Sequence, residues 1–122
     1  MITEDLAERI ADTMFALATP SRVRILGCLR ERPHTVGELI AATGMAQPAV
    51  SHQLRLLRDH RLVVAERRGR ERVYALYDEH VASLLDEAER HATQLSSGRR
   101  RRSHAYPGRL ADGGATKSAA DG

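Results

Sequence analysis

The sequence predicts a mainly α chain with one small β-hairpin, and three observations carry that reading. Apolar residues recur at spacings of three and four through residues 6–57 and again through 81–95. Between these stretches, residues 62–76 change to strand-like runs around a basic segment that contains Gly69. From Ser96 onward almost no large apolar residue remains beyond Leu110, and such text cannot bury enough surface to offset chain entropy.

Each element has its own signal. Leu6, Ile10, Met14 and Leu17 form one apolar stripe on a first helix. Thr19-Pro20 supplies a capping residue and then a proline at the first helical position. Val23, Ile25, Leu26 and Leu29 are the expected buried side of this second helix, which Pro33 ends. Thr35 and Glu38 have the spacing of a capping box, so a third helix starts there, and Gly44 is its expected left-handed stop. A fourth helix follows from about Gln47, with Pro48 in its first turn and Val50, Leu54 and Leu57 inward. Leu62–Ala65 and Arg72–Leu76 flank Arg67-Arg68-Gly69-Arg70 as a hairpin with a basic tip. Val81, Leu84, Leu85, Ala88, Ala92 and Leu95 mark a last helix from near Asp78. The expected organisation is one ordered domain over residues 1–96 and a disordered arginine-rich tail over 97–122.

Composition excludes several classes of function. A chain of 122 residues holds one domain and a tail. With Phe15, Tyr74, Tyr77 and Tyr106 as its only aromatic residues, it is poorly supplied for stacking single-stranded bases. The single cysteine, Cys28, forms no internal disulfide; it fits a reducing cytosol and reads as a small core residue. No apolar run approaches the roughly 20 residues of a membrane span, so a cytoplasmic protein without a membrane partner is expected. No nucleophile–base pair or phosphate-cradling glycine loop is visible, which argues against an enzyme.

Charge points to a partner. Residues 54–72 carry seven arginines against Asp59, Glu66 and Glu71, whereas residues 78–89 carry five acids and no lysine or arginine. A basic band on an otherwise near-neutral domain suits an anionic polymer. Two short helices joined through Thr43-Gly44-Met45 and followed by a basic hairpin describe a winged helix-turn-helix, whose second helix enters the DNA major groove. On that helix Gln47, Ser51 and Arg55 recur every four residues, with His52 beside Ser51. Gln47 suits adenine, Ser51 both donates and accepts, His52 suits a guanine edge or phosphate, and Arg55 suits phosphate. Arg67, Arg68 and Arg70 would follow the backbone or minor groove. Any amphipathic helix shows a polar side like this one; the adjoining basic hairpin is what favours DNA.

Ala18-Thr19-Pro20-Ser21-Arg22, the run from Gly44 to Leu54, Leu62-Val63, Val73–Leu76 and Asp78-Glu79-His80-Val81 together resemble the ArsR/SmtB family of winged-helix regulators. The similarity covers about residues 6–96. It implies a homodimer packed through first and last helices, an inverted-repeat operator in double-stranded DNA, and an effector that changes operator affinity. Ala46 stands where the family often has serine, so the reading helix is expected to lack a side-chain cap.

The last helix carries a second constellation. Asp78 and His80 open it, and His91 and Gln94 lie near its end. Eleven residues place the two histidines on nearly one face but about 16 Å apart, and metal–nitrogen bonds of about 2 Å cannot span that. Two such helices antiparallel across a dimer would bring Asp78 and His80 of one chain to His91 and Gln94 of the other. Asp78, His80 and His91 match the ligand pattern that the resemblance implies for sensors with a last-helix metal site. Gln94 does not match, since members usually carry histidine or glutamate at that position.

An amide oxygen is a poor ligand for a closed zinc site, whereas nickel and cobalt accept more ligands and mixed nitrogen and oxygen donors. His104, ten residues beyond Gln94, is a candidate to complete such a set. The run His80–Ala88 is similar to the nickel- and cobalt-responsive branch, so nickel is expected, with cobalt or zinc as alternatives. The resemblance also implies that the backbone carbonyl of Arg61 accepts a hydrogen bond from the metal-bound His91 ring, coupling metal to DNA-reading helix. Repression relieved by metal is the family's usual mode, though activation would need no different residues. The rivals are a zinc-responsive or metal-independent winged-helix regulator and, from another class, a metal-buffering protein with an incidental basic band.

Overall fold

The computed structural model describes residues 1–97. In order these are α1 (Glu4–Ala16), α2 (Pro20–Glu31), β1 (His34–Thr35), α3 (Val36–Thr43), α4 (Gln47–Asp59), β2 (Val63–Arg68), β3 (Glu71–Leu76) and α5 (Glu79–Ser97). The chain divides into two compact units, Met1–Asp86 and the part from Glu87 onward. His104 and the arginine-rich segment predicted as a tail lie outside the described residues.

Threonines begin three of the helices. Thr3 accepts from the Leu6 N–H (3.1 Å) and Thr19 from the Arg22 N–H (3.4 Å). Thr35 accepts from the Glu38 N–H (3.1 Å) while Glu38 accepts from the Thr35 N–H (3.0 Å), which completes the predicted capping box. That bond from the Thr35 backbone holds the Glu38 carboxyl below its ordinary value of 4.5, against some loss of solvent and with help from Arg32. A lowered carboxyl stabilises the fold fully above its ordinary value and loses that contribution as pH falls through the lowered one. Glu38→Gln keeps an acceptor for Thr35 but no titrating charge. Its unfolding temperature is therefore expected to vary less with pH below about 4.5 than the wild type's, as thermal melts across that range will show.

The core of the first unit is built where α2, α3 and α4 meet: Ile25, Leu26, Leu39, Val50, Leu54 and Leu57 are fully buried. Val81 and Leu85 seat the first half of α5 on this core, and Arg30 of α2 pairs with Asp86 at 2.9 Å. Cys28 is half-buried against the same cluster. Val23, expected inside, is instead 44% exposed, because the buried side of α2 is set by Arg22, Ile25, Leu26 and Leu29.

The hairpin has company. β1, β3 and β2 form an antiparallel sheet in that order, with His34 opposite Tyr74 and Thr35 opposite Val73. A two-residue strand shows no alternation, so periodicity misses it. The hairpin strands also run further than predicted, to Arg68 and from Glu71, so that only Gly69 and Arg70 turn. Gly69 has φ +64° while Arg70 does not share the left-handed region, the pattern of a II′ turn.

Candidate nucleic-acid interface and metal ligands

The turn that aims α4 is closed by local chemistry. Gly44 takes φ +75°, which costs glycine no steric clash, and its N–H reaches the Ile40 carbonyl at 2.8 Å. Thr43 is buried; its hydroxyl donates to the Leu39 carbonyl (2.7 Å) and accepts from the Met45 N–H (3.2 Å). Ala46 then caps α4 without any side-chain hydrogen bond, as the sequence predicts. Val50, Leu54 and Leu57 hold the inner side of α4, which leaves Gln47, Ser51, His52 and Arg55 exposed. All four predicted reading residues therefore lie on solvent-facing positions of one helix.

Arg61 ends that helix in an unusual way. It has φ +59°, the only left-handed residue among the described ones that is not glycine. The Arg61 N–H bonds the Arg58 carbonyl (2.9 Å) and the Leu62 N–H bonds the Leu57 carbonyl (2.9 Å). This is a Schellman closure with arginine where glycine is usual, and buried Leu57 and Leu62 supply its apolar partners. A non-glycine residue in this conformation carries about 1 kcal/mol or more of strain. The Arg61 carbonyl proposed for coupling thus sits in a conformationally defined turn.

On the hairpin, strand register sorts the arginines. Arg67 lies directly opposite Arg72, and Arg68 opposite Glu71. Side chains directly across an antiparallel pair have Cβ atoms about 4.5–5.5 Å apart, and like charges there repel. Arg68 is relieved by Glu66 at 3.5 Å as well as by facing Glu71. One face of the hairpin therefore presents two arginines side by side, with Arg70 exposed at the turn, and the other face is nearly neutral. Arg72 was not among the predicted contacts. Counting residues from a two-residue turn at Gly69-Arg70 would have found it.

Asp78 caps α5. Its Oδ1 accepts the N–H groups of His80 (3.0 Å) and Val81 (3.3 Å), and its Oδ2 lies 3.4 Å from His80 Nδ1. Partial loss of solvent pushes the Asp78 carboxyl up, but the bonds from the His80 side chain and from the two backbone groups outweigh it and lower its value overall. The lowered carboxyl favours the ionised form, the one able to coordinate a cation. The His80 side chain is 96% exposed. His91 and Gln94 are exposed on the C-terminal part of the same helix. Among the described residues of one chain, no three His, Cys, Asp or Glu side chains converge on a point. Asp78 and His80 bring an oxygen and an imidazole together, donor types of the kind nickel, cobalt or zinc accept.

The sequence profile of bacterial regulatory proteins of the arsR family matches residues 19–64, which run from the cap of α2 into β2. The HTH-type transcriptional regulator NmtR of Mycobacterium tuberculosis is 56% identical over 92 residues, spanning 75% of this chain and 77% of that protein. A transcriptional repressor SmtB homolog of Synechocystis is 44% identical over 71% of this chain and 66% of its own length, just under two thirds. The solution structure of apo-NmtR superposes with a TM-score of 0.68 at 44% identity, covering 100% of this chain and 90% of that one. The homodimeric winged helix-turn-helix domain Mb0332 of Mycobacterium bovis matches with a TM-score of 0.70 at 28% identity, over 84% and 90% of the two chains. No described helix is long and apolar enough to cross a membrane.

Proposed function

Because this chain belongs to the ArsR/SmtB family of winged-helix transcriptional regulators, which bind DNA and are not enzymes, we propose that it is a nickel-responsive repressor acting as a homodimer. Asp78 and His80 of one protomer and the partner subunit's His91 are the ligands, with Gln94 and His104 as the candidates to complete the set. Cobalt and zinc are the alternative ions. The observation that carries this reading is the Asp78–His80 pair, already assembled at the start of α5 with the His80 ring open to solvent.

Exposed apolar residues support the dimer. On α1, Phe15 is 68% and Met14 49% exposed. On α5 the stripe begun by buried Val81 and Leu85 continues through exposed Ala88 and Ala92 to Leu95, which is 63% exposed. Large side chains left open on two helices suit burial against a second copy, and the homodimeric Mb0332 domain offers a precedent. A bound cation would supply a cross-link between two chains. The chain's own residues do the rest. Asp78 fixes the first turn of α5 and orients the His80 ring, while Arg61 closes the reading helix and offers its carbonyl as the coupling acceptor. In a symmetric dimer, two reading helices must fit successive major grooves about 34–36 Å apart, so a small change in the angle between subunits misaligns both.

Titration of nickel into the complex with DNA from upstream of the chain's own gene tests the proposal. Wild type should lose affinity by roughly 5–150-fold, the range of ordinary coupling energies. His80→Ala should bind the DNA equally well and ignore nickel. A full nickel response in His80→Ala would remove this site from the function, and absence of any sequence preference in the wild type would favour a metal-buffering role. Parallel titrations with cobalt and zinc rank the ions.

A further inference from the structure

We propose that Arg22 is a positioning residue for the DNA-reading helix, acting through Gln53. This inference rests on the DNA-binding reading above and adds a connection between the C-terminus of α1 and α4.

Arg22 is a charged residue in the core, 7% exposed. A guanidinium has five donors and no acceptor, so burying it requires several oxygens. It finds them on two helices. Its Nε donates to the Ala16 carbonyl and an Nη to the Phe15 carbonyl at 3.2 Å. These are the last two carbonyls of α1, at the negative end of the helix dipole. The other Nη donates to Gln53 Oε1 on α4 at 3.0 Å. Meanwhile the Arg22 N–H is capped by Thr19, so the segment between α1 and α2 is stitched in both directions.

Gln53 has a definite orientation as a result. Facing a pure donor, it must present its oxygen. It is half-buried and lies between the exposed pair Ser51 and His52 and exposed Arg55. Gln53 therefore occupies the shoulder of α4, fastened from behind, while its neighbours face outward. The link spans 31 residues of sequence and is charge-assisted, the stronger class of hydrogen bond. Where α1 ends thereby bears on the angle at which Gln47, Ser51, His52 and Arg55 are presented. Since α1 also carries exposed Met14 and Phe15, a contact made on α1 has a short route to the reading surface.

Gln53→Met tests the link with little change in size. Binding to a labelled duplex of the gene's upstream DNA should weaken about tenfold, in line with the loss of one charge-assisted hydrogen bond. The slope of affinity against salt should not change, because no phosphate contact is lost. Combining it with Arg22→Lys, which keeps a cation but not the three-way fork, should weaken binding no further than Gln53→Met alone. Unchanged affinity in Gln53→Met, a slope reduced by about one unit, or additive losses in the double variant would each overturn the proposal. If Arg22→Lys does not fold, NMR of Gln53→Met replaces the double variant. A slowly exchanging Arg22 Nη signal in the wild type that disappears in Gln53→Met supports the link, and a signal unchanged by the substitution overturns it. This readout also stands if the wild type shows no DNA preference, a result that would instead overturn the DNA-binding reading.

Discussion

Replacing Arg67 and Arg72 together with alanine is expected to reduce operator affinity by about 100-fold at low salt and to lower the salt slope by about two units. The expectation follows from the hairpin register. The two guanidinium groups stand directly across the β2–β3 ladder, and no acidic residue is paired with either in the sheet. Each repels the other in the free protein, and a phosphate between them removes that repulsion. Arg68, in contrast, already faces Glu71 and lies 3.5 Å from Glu66. An exposed pair of this kind contributes about 0–1 kcal/mol, so Arg68 can be released, though a phosphate gains less from it. Single substitutions should therefore rank Arg72→Ala and Arg67→Ala above Arg68→Ala, both in lost affinity and in reduced slope. Binding isotherms at four or five salt concentrations decide the matter. An Arg68→Ala variant weaker than Arg72→Ala would show that the opposite face of the hairpin meets the DNA.

Arg72 also marks what a sequence can and cannot reveal. The hairpin itself was legible, since a glycine between runs of valine and tyrosine has few other uses. The partner each arginine faces depends on whether the turn holds two residues or four, since with four Arg72 would stand opposite Ala65 instead of Arg67, and a slip of one residue would reverse the faces as well. Helix boundaries were read well wherever a side chain announces them: Thr19 with Pro20, Thr35 with Glu38, and Gly44. Thr3 was missed because no proline or capping box accompanies it. β1 was missed for want of length, and its pairing comes from β3, some 40 residues away. Val23 stands about 100° round α2 from Arg22, off the line of Ile25, Leu26 and Leu29, so its exposure follows from helical period. The burial of Arg22 rests on backbone carbonyls of α1, and those belong to tertiary structure.

The exposed face of α4 was legible for the opposite reason. Val50, Leu54 and Leu57 fix its inner side by helical period alone, so Gln47, Ser51, His52 and Arg55 follow by exclusion. Along α5 the same reasoning runs only halfway. Val81 and Leu85 are buried as the stripe predicts, whereas Leu95 on that stripe is exposed. Periodicity identifies a surface that wants covering without saying which molecule covers it.

A mixture of two inactive variants provides the sharpest test of what covers it. His80→Ala and His91→Ala should each lose high-affinity nickel binding as homodimers, because every shared site then lacks one imidazole. Co-refolded in equal amounts, they should recover it in part. In a mixed dimer, one site loses both histidines. The other keeps His80 from the His91→Ala chain and His91 from the His80→Ala chain, and so is complete. Random pairing makes about half the dimers mixed, each with one of two sites intact, so the mixture should bind about one quarter of the wild-type nickel. Ligands drawn from a single chain, including any set closed by His104 of the same chain, give no recovery in any mixture. Equilibrium dialysis after co-refolding therefore separates shared from single-chain sites by stoichiometry. Recovery near one quarter requires His80 and His91 to meet across the dimer, and a mixture as inert as its parents would be incompatible with such a meeting.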